Sequence, residues 1–254
     1  MKIENAAALV TGANRGVGEA LVHALLARKV ARVYAAARDP GDLPDFADPR
    51  VIPIRLDVTE KNHWAAAASA ARDLTLLINN AGLSHFGTTL DHEAAEARLR
   101  AEIEVNVLGI LHGFRALSAT LGANGGGAIV NVLSAAALLN VPLLSTYSVT
   151  KAAALSLTQA IRASTAAQGT LVTAAILGSV DTRMAKDVPP GVRKVSPAFV
   201  ATAILDGVER NEEDIDTDPM ALDVRARLAR DPKKLERFFA RGLQMVRNNP
   251  PTTP

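Results

Sequence analysis

Tyr147 and Lys151 stand four residues apart at the start of an apolar, alanine-rich segment. That spacing puts both side chains on one face of a helix, one turn apart. Ser134 closes the strand-like run Ala128-Ile129-Val130-Asn131-Val132-Leu133 and can meet that face from the strand end. A phenol, an ammonium and a hydroxyl gathered in this way suit proton transfer. A free tyrosine titrates near pH ~10, too high for a base at neutral pH. An ammonium ~4 Å away is worth roughly 4 kcal/mol at an effective dielectric near 20, or about three pKa units. Burial pushes the other way, so that figure is an upper one.

A second group of residues suits a phosphate. The apolar run Ala6 to Val10 leads into Thr11-Gly12-Ala13-Asn14-Arg15-Gly16-Val17-Gly18, and Leu21, Val22, Leu25 and Leu26 follow at helical spacing. Glycines let the backbone approach an anion, and the free N–H groups of a helix start point at it. The turn therefore nominates Gly12, Asn14, Arg15, Gly16, Val17 and Gly18 as dinucleotide contacts. The next strand, Arg32 to Ala37, ends at Arg38, the region where an acid binds a ribose 2′-hydroxyl and an arginine accommodates a 2′-phosphate. Arg15 and Arg38 can clamp such a phosphate, which favours NADP(H); NAD(H) stays open because Asp39 can turn inward to a ribose.

The elements that must position these groups alternate strand and helix. Val51 to Leu56 ends in Asp57-Val58, placed for an adenine edge or for a turn. Leu74 to Ile78 ends in Asn79-Asn80-Ala81-Gly82, and Leu171 to Ile176 exits through Gly178, Val180 and Thr182. Ala94 to Leu121 reads as one long helix with Leu99, Ile103, Val107, Ile110 and Leu111 on its apolar side and Asn106 interrupting it. Ser196-Pro197, Asp218-Pro219 and Asp231-Pro232 each read as an N-cap followed by proline, announcing three C-terminal helices. The pattern predicts an α/β fold: one Rossmann-type, doubly wound parallel sheet of about seven strands, with helices on both faces and ligands at the strand ends. A single domain is expected over 1–247, with a mobile tail over 248–254.

Composition narrows the function. The formal net charge of +2 gives no reason to expect nucleic acid or an anionic membrane, and no apolar run is long enough to span a bilayer. The absence of cysteine removes disulfides, thiolate metal sites and a cysteine nucleophile, and fits a reducing cytoplasm. His85 has no second ligand at metal spacing, so no metal is expected, and it reads as a pocket wall or surface residue. The segment before Tyr147 supplies Leu138, Leu139, Asn140 and Leu144 as a candidate pocket wall, with Phe86 and Met184 closing the other sides. It is apolar and carries no lysine or arginine.

The glycine turn, Asn79-Asn80-Ala81-Gly82, Asn106, Ser134 and Tyr147-Ser-Val-Thr-Lys151 together resemble the short-chain dehydrogenase/reductase family, over about Ala6 to Thr182. The resemblance implies carbonyl reduction with Tyr147 as general acid, or base in reverse, and Ser134 on the substrate oxygen. It implies that Lys151 binds the nicotinamide ribose and depresses the tyrosine pKa, that Asn106 positions a relay water, and that Asn80 and Gly82 lie along the cofactor. It also implies a homodimer or homotetramer and a small carbonyl or alcohol substrate. Two departures stand out: Leu177 precedes Gly178 where the family has proline, and Ala37 stands where NAD-dependent members have an acid. A non-catalytic dinucleotide sensor, or an epimerase or dehydratase that recycles its nicotinamide, are the alternatives.

Overall fold

Every strand expected from the sequence pairs into one parallel sheet. The computed structural model describes residues 1–188 and 191–248, with no side-chain description over 245–248; the tail from 249 onward lies outside the described residues. The strands are β1 (Ala7–Thr11), β2 (Arg32–Ala37), β3 (Val51–Arg55), β4 (Leu76–Asn79), β5 (Ala128–Val132), β6 (Leu171–Ile176) and β7 (Asp214–Asp216). Their order across the sheet is β3-β2-β1-β4-β5-β6-β7, all neighbours parallel. The order reverses between β1 and β4, which opens a crevice at the strand carboxyl ends.

The helices are α1 (Gly16–Ala27), α2 (Lys61–Ala70), α3 (Ala95–Ile103), α4 (Gly109–Ala123), α5 (Ser145–Thr165), α6 (Pro197–Glu209), α7 (Pro219–Arg230) and α8 (Pro232–Asn248). Side chains alternate across β1: Ala7 and Leu9 join one core cluster, Ala8 and Val10 the other. The first cluster lies under α2, α4 and α5 and the second under α1 and α6, so the sheet is buried on both faces, as a parallel sheet requires. The three proline-started helices begin as expected. Ser196 Oγ accepts from the Phe199 N–H, Asp218 from Met220 and Ala221, and Asp231 from Lys234.

The long helix differs from its sequence pattern. It is broken over Glu104–Leu108 by a π turn, in which the Gly109 N–H donates to the Glu104 carbonyl, between α3 and α4. The side that faces the core carries Ala95, Glu102, Asn106, Ile110, Gly113 and Leu117, whereas Leu99, Ile103, Val107 and Leu111 are only half-buried. The extra residue of a π turn shifts the helical register, and the polar Asn106 is thereby carried inward.

Candidate active site

Thr11 ends β1, and its hydroxyl accepts from the backbone N–H groups of Asn80 and Ala81, both at 2.9 Å. Asn80 Nδ2 donates back to the Thr11 carbonyl at 2.8 Å and the Gly12 carbonyl at 3.2 Å. The glycine turn and the Asn80-Ala81-Gly82 segment are thus one unit across the reversal point. Gly12 and Gly16 hold left-handed backbone, φ 65° and 59°. A Cβ on Gly18 would collide with the Gly12 carbonyl and lie 2.6 Å from Asn80 Nδ2, so glycine is obligatory there. Gly16 faces Thr182, and an open cavity of about 710 Å³ lies where Gly16, Glu19 and Ala20 meet Asp181, Thr182 and Arg183. Asn14 and Val17 are half-buried in the turn and Arg15 is exposed at its end. This tight turn, opening α1 with no side-chain cap on its first N–H groups, fits a dinucleotide diphosphate.

At the end of β2, Arg38 is exposed and Asp39 turns away: its Oδ1 accepts from the Gly41 N–H at 2.9 Å, capping the short turn Pro40–Asp42. Asp57 takes the turn role, with Oδ1 accepting from the Thr59 N–H at 3.0 Å and the Thr59 hydroxyl at 2.8 Å. Burial works to raise the Asp57 pKa, but the Thr59 hydrogen bonds and the nearby positive charge of Arg38 hold it below its ordinary value. Val58 is buried against Gly109, and its carbonyl accepts from Trp64 Nε1 at 3.0 Å. Trp64 is a packing residue.

Tyr147 and Lys151 lie on the buried face of α5, one turn apart. Lys151 Nζ donates to the Val132 carbonyl at 2.9 Å and stands 5.6 Å from the centre of the Tyr147 ring. Burial pulls the lysine pKa down to about 8. The phenol departs from expectation, because its pKa is raised, not depressed. Burial is the largest cause, the Ser134 hydroxyl opposes it, and the Glu102 carboxylate adds to the rise. Desolvation of a phenolate dominates at this depth. Ser134 Oγ accepts from the Ala136 N–H at 3.2 Å, and its hydroxyl is hydrogen-bonded with the Tyr147 phenol.

Asn106 spends its side chain on the protein. Oδ1 accepts from the Leu83 N–H at 2.8 Å, and Nδ2 donates to the Leu83 carbonyl at 2.8 Å and Thr150 Oγ1 at 3.0 Å. Gly82 adjoins both groups: a Cβ there would lie 3.5 Å from Asn106 Oδ1 and 3.9 Å from Lys151 Nζ, ordinary contact distances.

The residues nominated as pocket walls are only partly gathered. Leu138, Leu139 and Asn140 border a hollow of about 200 Å³ whose far side is Ser148, Val149 and Ala152, the face of α5 next to Tyr147. Leu138 and Leu139 also pack on the core. Asn140 is exposed and Nδ2 donates to the Ser145 carbonyl at 3.3 Å. Phe86 and Leu144 are half-buried, on segments joined by the Thr88–Leu144 bridge. Met184 is half exposed on the short turn Arg183–Ala185. After β6, the Gly178 N–H donates to Asp218 Oδ2 at 2.6 Å, and a Cβ there would strike the Asp218 carboxylate, so this glycine makes room for the start of α7. Val180 is buried and bridges Val195.

Three features escaped the sequence. Asn79 Nδ2 donates to Asn131 Oδ1 at 2.8 Å, and Asn131 Nδ2 donates to Thr158 Oγ1 at 2.9 Å, a buried chain linking β4, β5 and α5. Asn131 alternates with apolar residues in β5, which is its only trace in the sequence. Glu102 is wholly buried beside His85. Ser179 Oγ is buried without a partner at the rim.

The sheet order, the glycine turn at the first crossover and the group Ser134, Tyr147 and Lys151 beside the crevice define a Rossmann-type oxidoreductase. The short chain dehydrogenase family model matches residues 6–193, and the chain belongs to that family. A short chain dehydrogenase from Burkholderia cenocepacia J2315, solved in complex with NADP, is 40% identical with a TM-score of 0.89, covering 94% of this chain and 99% of its own. A short chain dehydrogenase/reductase from Burkholderia phymatum, solved with NAD, is 27% identical with a TM-score of 0.77, covering 89% and 94%. The cis-4-hydroxycyclohexanecarboxylate dehydrogenase of Sinomonas cyclohexanicum is 34% identical over 204 residues, 75% of this chain and 80% of its own. Among the described residues, no helix is long and apolar enough to cross a membrane and no group of acids and histidines is arranged to hold a metal.

Proposed function

We propose that the protein reduces a small to medium apolar ketone or aldehyde with NADPH, reversibly, with Tyr147 as the general acid. The observation that carries this is the Ser134, Tyr147 and Lys151 group, with Tyr147 and Lys151 buried on α5 and Ser134 half-buried at the end of β5. When bound, NADPH supplies hydride to the carbonyl carbon and leaves as NADP⁺. Tyr147 gives its proton to the carbonyl oxygen as charge builds there, and the Ser134 O–H, which is paired with the phenol, turns to donate to the same oxygen. Lys151 keeps Nζ–H donors beyond its bond to Val132 for the ribose hydroxyls, and its lowered pKa suits it to pass a proton back to the tyrosinate. The space bounded by Gly82, Asn106 Oδ1 and Lys151 Nζ is where a relay water fits. Asn106 also acts as a clamp, holding Leu83 and Thr150 around that space.

Cofactor choice rests on Arg15 and Arg38, with Asp39 committed to its own turn. The apolar character of the nominated pocket disfavours carboxylates. The Sinomonas relative's named substrate carries a carboxylate, so both kinds of substrate belong in the test. The experiment is NADPH oxidation with ketones, aldehydes and their ω-carboxylates under identical conditions. Net consumption with the uncharged carbonyls supports the proposal. Catalysis without net consumption favours an epimerase or dehydratase, binding without turnover favours a sensor, and higher kcat/KM for the carboxylates overturns the apolar pocket.

A further inference from the structure

Glu102 on α3 has no exposed surface. Its Oε1 accepts from the His85 N–H at 2.8 Å and faces His85 Nδ1 at 3.0 Å, while its Oε2 is buried without a partner. A carboxylate taken out of water and only half satisfied is costly, and an apolar side chain would fill the same place without that cost. The mechanism described so far makes no use of it.

Its level in the fold follows from the helix register. β4 and β5 are parallel neighbours, and the helices that follow them return over the same core cluster. α3 and the π turn therefore run parallel to α5, and the two helices pack together. Asn106 fixes their register, because its Nδ2 donates to Thr150 Oγ1 at 3.0 Å. Thr150 Oγ1 in turn donates to the Tyr147 carbonyl at 2.8 Å. One turn back on each helix, on the same buried faces, Glu102 comes level with Thr146 and Tyr147. Thr146 is wholly buried, and its hydroxyl, like Glu102 Oε2, has no partner. Two orphaned polar atoms thus lie in one helix interface at the level of the tyrosine.

The charge of Glu102 is felt at the phenol. Burial is the largest cause of the raised Tyr147 pKa, the Ser134 hydrogen bond opposes it, and Glu102 adds to the rise. A carboxylate disfavours a second anion nearby, so it acts against the tyrosinate. The titratable and charged groups around this pair come from three elements. They are His85 on the loop after β4, Arg98 one turn earlier on α3, and Lys151 on α5. Arg98 is engaged by the Thr88 hydroxyl at 2.7 Å.

We propose that Glu102 is a positioning residue that acts on Tyr147 through its charge, disfavouring the tyrosinate and so keeping the phenol available as proton donor into alkaline pH. This rests on the reductase proposed above and adds an electrostatic control from outside the Ser134, Tyr147 and Lys151 group. In the oxidative direction the alcohol gives its proton to the tyrosinate, so Glu102 also places the rising limb of oxidation at higher pH.

The test compares wild type, Glu102→Gln, Glu102→Met and Glu102→Asp, each as its complex with NADP⁺. Glutamine keeps an oxygen for the His85 N–H, methionine removes the charge at similar length, and aspartate keeps the charge. Tyr34 and Tyr147 are the two tyrosines of the chain. The alkaline rise of tyrosinate absorbance, with that of Tyr147→Phe subtracted, therefore reads Tyr147 without any turnover. The second reading is the pH profile of kcat/KM for oxidation of a secondary alcohol. Glu102→Gln and Glu102→Met are expected to move the onset of tyrosinate and the rising limb to lower pH by about one unit, while Glu102→Asp stays close to wild type. Having two uncharged variants keeps the reading independent of the folding of either one. A merely structural role lowers the rate at every pH in all three variants and leaves both curves where they are, which overturns the proposal. An equal shift in Glu102→Asp overturns it too, because the charge is then not the cause. The expected absorbance shift in a protein that turns over neither ketones nor alcohols upholds the role of Glu102 and overturns the reductase proposal beneath it.

Discussion

Lys151 shows what the site costs the fold. Its ammonium has a folded pKa of about 8 against an ordinary value of 10.5, so the unfolded chain binds more protons between those two values. Stability from this group therefore rises with pH across that window, and the penalty, about 3 kcal/mol, is in full force below pH 8. Lys151→Met removes it, at the price of an unanswered Val132 carbonyl. Relative to wild type, the variant is expected to lose up to about 3 kcal/mol of advantage between neutral pH and about pH 10.5, read from denaturant titrations at several pH values. A stability difference that stays flat with pH contradicts a lysine whose pKa burial has lowered. The expectation that Lys151 would depress the Tyr147 pKa came from the four-residue spacing and the family resemblance. Spacing gives proximity but not depth, and depth decides the sign.

Strand ends and turns determine which dinucleotide fits. The turn between β1 and α1 exposes Arg15 and the end of β2 exposes Arg38, while Asp39 bonds to Gly41. Arg15→Ala or Arg38→Ala is expected to weaken NADPH by roughly 1.5–3 kcal/mol and to leave NADH nearly unchanged, as measured by fluorescence titration. Equal wild-type affinity for the two cofactors would contradict this and return Asp39 to the ribose. At this scale the sequence was readable wherever a pattern had one physical meaning. Glycines 12, 16 and 18 admit only a tight turn, and the proline-led N-caps admit only helix starts. It was unreadable where tertiary packing reassigns a face. Glu102 sits among Arg98, Arg100 and Glu104 like any solvated helix charge, and nothing local announces the π turn that brings Asn106 inward. β7 has only three residues, two of them aspartate, and pairs only because β6 is already in place.

Across the whole molecule, the half-buried line Leu99, Ile103 and Val107 on α3 and the π turn is continuous in chain with the helices that border the site. On α5, Ala152, Ala153 and Ala160 are exposed and Val149 is 44% exposed, a surface of small side chains that lets another helix approach closely. These two faces suit pairing between copies of the chain, in a homodimer or homotetramer. Light scattering at micromolar concentration is expected to give about two or four times 26.7 kDa. A mass of one chain contradicts it. Val149→Glu, at the N-terminal end of the alanine face, is expected to shift the population toward the monomer.

The claim on which the account turns is that Tyr147 protonates the substrate oxygen. The direct measurement is the rate of NADPH oxidation with a ketone that the wild type reduces, coupled to alcohol formation, in wild type and in Tyr147→Phe, alongside the NADPH dissociation constant of each. The phenylalanine ring preserves packing in α5 and removes only the hydroxyl. The predicted result is a fall in kcat of about 10²–10⁴-fold with little change in NADPH affinity. Retention of more than about a hundredth of the wild-type rate would contradict the assignment of Tyr147 as the acid.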